Sequence, residues 1–199
     1  VERLVQAESI ECDFARVGRL KLAAKPKHYD GLARTCELLN GKIDPDYRMI
    51  PREALSAEIN STAFFGGMLH APSAQVHPGK LAVGLATAAT RHGARVFEST
   101  PVTDLVRIAA SATTPGGHRV TTSRGSVEAR QVLVATGSTN IGPFAWFRRR
   151  LAPVGSFIIV TEPLGRETLQ RLMPSRRNYV TSRVIGNYFR STADERLLF

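Results

Sequence analysis

EARQVLVATGSTN, residues 128–140, contains four apolar residues in a row, Val132 to Ala135, and then stops on Thr136-Gly137. A short apolar run bounded by small turn residues predicts a strand buried on both faces. Its end carries almost no side chain, so backbone is laid open for close approach by a ligand. The reading therefore predicts that 132–137 is a buried strand of a nucleotide-binding half-domain, lying beside 98–102. A tight turn after an ordinary core strand produces the same pattern.

Working outward, the preceding residues continue a strand-rich block. HRVTTSRGSVEAR, residues 118–130, predicts a hairpin turning at Arg124-Gly125, and TPVTDLVRIAA, residues 100–110, predicts another strand. ARVFEST, residues 94–100, predicts a strand before it. VHPGKLAVGLATAATRHGA, residues 76–94, is the clearest helix: His77 is placed to cap it, Pro78 takes the first helical position, and Gly93 closes it. Leu81, Leu85, Ala88 and Ala89 form its expected buried face.

The flanks read differently. Residues 1–10 suggest a helix tail, and residues 12–24 suit one or two strands bent at Gly18. After Pro26, Tyr29, Leu32, Ala33, Cys36 and Leu39 share one helical face, which Asn40-Gly41 is expected to end. Pro51 starts a short helix, and residues 64–76 are strand-like around Gly66-Gly67. Residues 138–153 read as a loop, VGSFIIVTEPL (154–164) as a long strand, and residues 165–173 as a helix ended by Pro174. NYFRSTADERLLF (187–199) predicts a hairpin. The strands around 157–160 and 188–189 are expected to share a second sheet.

The chain has 199 residues, 43% hydrophobic and 22% charged, an ordinary globular composition. No apolar run is long enough to cross a membrane. Neither end carries a recognisable start, so an internal fragment of a longer protein is expected. The two cysteines, Cys12 and Cys36, form no CxxC or metal spacing, which favours a reduced cytoplasmic setting. The formal charge of +10 raises a nucleic-acid-binding alternative, with Phe144, Trp146 and Phe147 beside the Arg148, Arg149, Arg150 cluster. A solvated basic loop explains that cluster more simply, and no nucleic-acid partner is expected. No Ser-His-Asp set, metal cluster or pair of carboxylates at catalytic spacing is legible, so no metal is expected and the catalytic residues are left unassigned.

Four stretches, VHPGKLAVGLATAATRHGARVFESTPV, VLVATG, PVGSFIIVTEPL and NYFRSTADERLLF, occur in an order and spacing that resembles the FAD-dependent amine and amino-acid oxidases. That family includes D-amino acid oxidase, glycine oxidase and sarcosine oxidase; the similarity is greatest to its bacterial group containing gamma-glutamylputrescine oxidase. The resemblance covers nearly the whole chain and is weakest over 42–61. It implies a mixed α/β and α+β fold, with part of a Rossmann-like FAD-binding domain (1–10 and 77–150). An antiparallel-sheet substrate domain (11–76 and 151–199) would complete it.

The resemblance also implies FAD as cofactor, with Val102, Ala135, Thr136 and Gly137 beside its ADP half. Tyr188 and Arg190 would face a small-molecule amine or amino-acid substrate. A half-buried sheet tyrosine and a surface arginine are the simpler readings of those two residues. The implied reaction is oxidation of a CH–NH bond to an imine. The family's GxGxxG phosphate-binding turn is absent from these 199 residues. The 199 residues alone are therefore expected to hold FAD poorly or not at all, and a non-catalytic truncated piece is the alternative. The sequence does not address oligomeric state.

Overall fold

Arg19–Leu22 (β2) alternates exposed and buried positions, with Leu20 and Leu22 fully buried. Alternate side chains of a strand point to opposite faces, so both leucines enter one core. In this computed structural model, which describes residues 1–111, 115–137 and 142–199, β2 is paired on both edges. Gly67–His70 (β4) runs antiparallel to it, with Leu69 opposite Leu20. Asn178–Thr181 (β9) runs parallel, with Tyr179 opposite Leu20. Tyr47–Ile50 (β3), Tyr188–Ser191 (β10) and Leu197–Leu198 (β11) complete a six-stranded mixed sheet, ordered β11-β10-β9-β2-β4-β3. The expected bend at Gly18 is present, at φ +75; a Cβ there would stand 2.8 Å from Arg177 Nη1.

The sheet is covered on both faces. Leu20, Leu22, Leu69 and Tyr179 pack with Leu55 and Ile59, at a 3-10 turn over Arg52–Ala57, and with Leu169 and Met173 around the helix Arg166–Leu172 (α5). On the other face Met68 meets Leu32 and Cys36 of Pro26–Lys42 (α2). Burial of each such aliphatic side chain contributes about 1.5–3 kcal/mol. The helix α2 runs past the expected stop. Asn40 stays helical, and its amide donates to Tyr47 O (2.8 Å) while its Oδ1 accepts from Tyr47 N (3.1 Å).

A smaller cluster joins Val5, in Glu2–Ala7 (α1), to Ile10 and Cys12, with Leu81 of Pro78–Arg91 (α3) packed against it. His77 caps α3 as expected: its Nδ1 accepts from Lys80 N at 3.2 Å. Only Ala88 of the predicted face is fully buried. Ala15–Arg16 (β1) and Ala74–Gln75 (β5) form a separate two-stranded ladder.

These elements form one compact unit, residues 1–92 and 157–199; residues 93–156 form a second. The second unit is built on an antiparallel meander of Val102–Ile108 (β6), Gly117–Thr122 (β7) and Gly125–Ala129 (β8). The short helix Ala145–Arg148 (α4) follows. Residues 138–141 of the expected loop lie outside the described residues.

Three expected strands do not form. Residues 132–137 make no ladder, and Leu133 is 91% exposed. Residues 94–100 are irregular too. A run apolar on both faces becomes a strand only where neighbours satisfy both its edges, and no described strand pairs with either segment. Residues 157–160 meet the first unit's sheet only at its edge, through a bridge from Val160 to Leu198 and reciprocal bonds of 2.8 and 2.9 Å between Ile159 and Phe199. They lie at the edge of the sheet that contains β10, as expected, but not as a long strand.

Candidate functional site

The first unit has a cavity of about 900 Å³. Arg190 of β10 lines it, as do Arg176, Arg196, Lys80 and the α3 cap residue His77. Strand alternation explains why Arg190 reaches the cavity. Phe189 turns the other way and stacks on Tyr179 of the core, with ring centroids 5.1 Å apart. Tyr188 shares the Arg190 face by sequence but is 70% exposed and lies outside the cavity lining. Of the two predicted substrate residues, the structure thus places one in a cavity and the other on an open strand end.

The charges of the cavity wall are unequally matched. Arg196 Nε donates to Asp194 Oδ2 at 2.7 Å, and Lys80 Nζ donates to Asp13 at 2.9 Å. The Thr192 hydroxyl, and after it Arg196, hold the Asp194 carboxyl below its ordinary range. Arg190 donates to Val76 O at 3.1 Å. Arg176 donates to Ser191 Oγ at 3.1 Å and Thr192 O at 3.2 Å. Among the described residues, neither Arg176 nor Arg190 meets a carboxylate. In the sequence Arg176 stands out only as half of a basic pair with Arg177, and its place on the cavity wall is not legible there because it depends on a left-handed backbone, φ +48, between α5 and β9.

A part-buried ion pair, Arg177 with Glu58, ties the segment before β9 to the turn after the 3-10 helix. Arg177 donates to Glu58 at 2.5 and 3.2 Å and to Val17 O at 3.0 Å. Burial raises the Glu58 carboxyl, but hydrogen bonds from Arg177 and Ser175 outweigh it and the net shift is downward. The Tyr179 hydroxyl is pushed up by burial, and it donates to Glu58 O.

The predicted nucleotide residues lie in the second unit. Val102 opens β6, just before an irregularity in its pairing with β7. Ala135, Thr136 and Gly137 are exposed, and a Cβ on Gly137 would meet nothing within 4 Å. Gly142 was not foreseen. Its φ is +85, and a Cβ there would stand 2.6 Å from Val102 O, so Gly142 approaches Val102 through a glycine-only contact. The sequence signal for it is Gly142-Pro143. Open backbone on a small-residue run fits an edge contact to the ADP half of FAD. It does not supply a phosphate cradle, which requires amides pointing together from a glycine-rich turn.

In the basic cluster, the Arg150 guanidinium covers one face of Trp146, 4.0 Å from its ring centroid. Among the described residues no helix is long and apolar enough to cross a membrane, and no three His, Cys, Asp or Glu side chains are grouped to hold a metal.

Comparison with known proteins matches residues 1–199 to the family described as FAD dependent oxidoreductase. Gamma-glutamylputrescine oxidoreductase of Escherichia coli is 29% identical over 201 residues, covering 100% of this chain and 45% of that protein. Glycine oxidase of Geobacillus kaustophilus is 30% identical over 172 residues, covering 85% of this chain and 42% of that protein. The crystal structure of that glycine oxidase superposes with a TM-score of 0.73 at 23% identity, over 99% of this chain and 50% of that one. This chain thus spans about half the length of the curated relatives it matches.

Proposed function

Since the chain belongs to the family of FAD-dependent oxidoreductases, we propose that it forms part of an enzyme oxidising the CH–NH bond of a small amine or amino acid to an imine. The observation that carries this reading is the cavity on the β10 face, with the unneutralised Arg190 on its wall. Its relatives include a glycine oxidase and a gamma-glutamylputrescine oxidoreductase, whose names specify an amino acid and an amine.

FAD, when bound, supplies the two-electron acceptor for the carbon bearing nitrogen. The residues of this chain bind and orient. Arg190 offers its remaining N–H donors to a substrate carboxylate, a charge-assisted contact that fixes one end of the ligand. Tyr188, on the open strand end outside the cavity lining, is the second proposed substrate residue, its hydroxyl available to the amine or carboxylate of a ligand that extends beyond the cavity. Phe14 and Leu198 give the cavity an apolar wall that limits water. Val102 and Ala135 to Gly137 lay backbone against the ADP half. Residues 1–10 and 77–150 are assigned to the FAD-binding half, and residues 11–76 and 151–199 to the substrate half. The packing of α3 on Val5 and Ile10 supports grouping residues 1–10 with the α3 part of the second segment. Both cysteines are free thiols, in keeping with a cytoplasmic protein.

The test uses the polypeptide specified by the whole coding region. Purified protein is scored for flavin absorbance and for oxidation of a panel of amines and amino acids. Flavin with turnover of at least one carboxylated amine, and a raised KM in Arg190→Gln, is the expected result. A colourless, inert protein, or a KM unchanged in Arg190→Gln, contradicts the reading.

A further inference from the structure

The cavity carries more positive charge than one substrate carboxylate requires. Its wall holds four cations, Lys80, Arg176, Arg190 and Arg196, against two carboxylates, Asp13 and Asp194. Both carboxylates are already committed, Asp13 to Lys80 and Asp194 to Arg196. Arg176 and Arg190 are left as two guanidiniums with only neutral acceptors: Ser191 Oγ and Thr192 O for the first, Val76 O for the second. A guanidinium has five N–H donors in a planar fork that fits a carboxylate with two parallel bonds. One such donor is occupied on Arg190 and two on Arg176. Both side chains are half-buried, so the charges are partly shielded from water and each gains from an anion. They are also held from one short stretch: Arg190 precedes Ser191, which accepts from Arg176.

From this arrangement we infer that the cavity takes a ligand with two acidic groups, one on Arg190 and the other on Arg176. The substrate class is then an acidic amino compound with a second carboxylate, rather than a simple amine. This rests on the proposed amine oxidation for the reacting group, and on the charge pattern alone for the second acid. Arg176 is a specificity residue in this account: it touches the distal acid and takes no part in the oxidation.

The experiment is equilibrium binding to the purified polypeptide specified by the whole coding region, with turnover scored separately. The probes are linear dicarboxylates from malonate to adipate, butyrate as the monocarboxylate, and inorganic phosphate. One dicarboxylate length is expected to bind about ten- to a hundredfold more tightly than butyrate, the worth of one charge-assisted contact. Arg176→Gln should remove that advantage, bringing the favoured dicarboxylate down to the affinity of butyrate for the same variant, and Arg176→Lys should restore part of it. Because Arg176 also holds Ser191 and Thr192, a second variant leaves its bonds intact. Ala193→Asp puts a carboxylate on the exposed cavity rim and should abolish dicarboxylate selectivity while the melting temperature stays unchanged. Dicarboxylates binding no better than butyrate would overturn the inference, as would selectivity that survives both Arg176→Gln and Ala193→Asp. Phosphate binding more tightly than every dicarboxylate would also overturn it, since the wall would then be a phosphate site. Dicarboxylate selectivity in a protein that oxidises no amine would sink the oxidation reading and leave this one standing.

Discussion

Two short segments, RLKL at β2 and VLVATG at residues 132–137, invite the same expectation and meet opposite fates. Leu20 and Leu22 are fully buried, with ladders on both edges; Leu133 is 91% exposed, with no ladder. The more apolar of the two is the one that fails to form a strand. Intrinsic preference is weak beside the backbone partners and packed faces that neighbours provide. The first unit brings those neighbours within itself, β4 on one edge and β9 on the other, while the meander of the second unit closes without using residues 132–137.

The largest effect should come from the ion pair of buried Glu58 with part-buried Arg177, which ties β2 to β9 through Val17 O. Arg177→Met leaves the Glu58 carboxylate buried without its partner, a loss of about 3–5 kcal/mol. Urea denaturation checks it, and an effect near zero would show that the frame does not depend on the pair. The pair also fixes a pH dependence. The Glu58 carboxyl titrates lower in the fold than its ordinary value of 4.5. Its stabilisation is therefore fully present above that value and is lost as pH falls through the folded value. Glu58→Gln should flatten the acid limb of the urea midpoint against pH.

Next in size is the direct contrast between the segments. Leu20→Ala should cost about 2–5 kcal/mol through the cavity it leaves. Leu133→Ala should stay within about 0.5 kcal/mol, as for other exposed positions. Comparable losses would mean that residues 132–137 are packed after all.

Within the second unit, Gly142 and Gly137 sharpen the comparison further. Both have positive φ, but only Gly142 has an atom in the way of a Cβ, Val102 O at 2.6 Å. Gly142→Ala should cost about 1–3 kcal/mol. Gly137→Ala should cost about 1 kcal/mol from backbone conformation alone. If Gly137 meets the ADP half as proposed, its substitution by Leu should lower flavin content well beyond that small loss of stability, read by absorbance at equal protein.

The smallest effect belongs to the α3 cap. Removing the His77 acceptor by His77→Ala should cost about 0.5–1.5 kcal/mol, measured on the melting transition of the first unit.

These contrasts explain what the sequence made legible. The helix α3 was legible because its signals are local: a capping His77, a Pro78 that needs no amide hydrogen bond, and a Gly93 at φ +88. The Gly18 bend and the β7–β8 hairpin were legible for the same reason. The strand β9 was not anticipated, although its Tyr179 and Val180 are buried, because its burial comes from parallel pairing with β2 about 160 residues away in the chain. Asn40 reads as a helix stop, yet its amide is satisfied by Tyr47, a partner that exists only once β3 is in place. In the site, Arg190 followed from strand alternation beside a resemblance. Arg176 depended on a left-handed turn and on the fold around Ser191, which no local pattern announces.

Amide hydrogen exchange, resolved by residue, tests the contrast most directly. The account predicts strong protection at Leu20, Leu22, Tyr179 and Val180, and near-intrinsic exchange from Val132 through Thr136 in the same sample. Protection of residues 132–136 comparable to that of β2 would contradict it, because it would show that this run is paired as a strand within the chain.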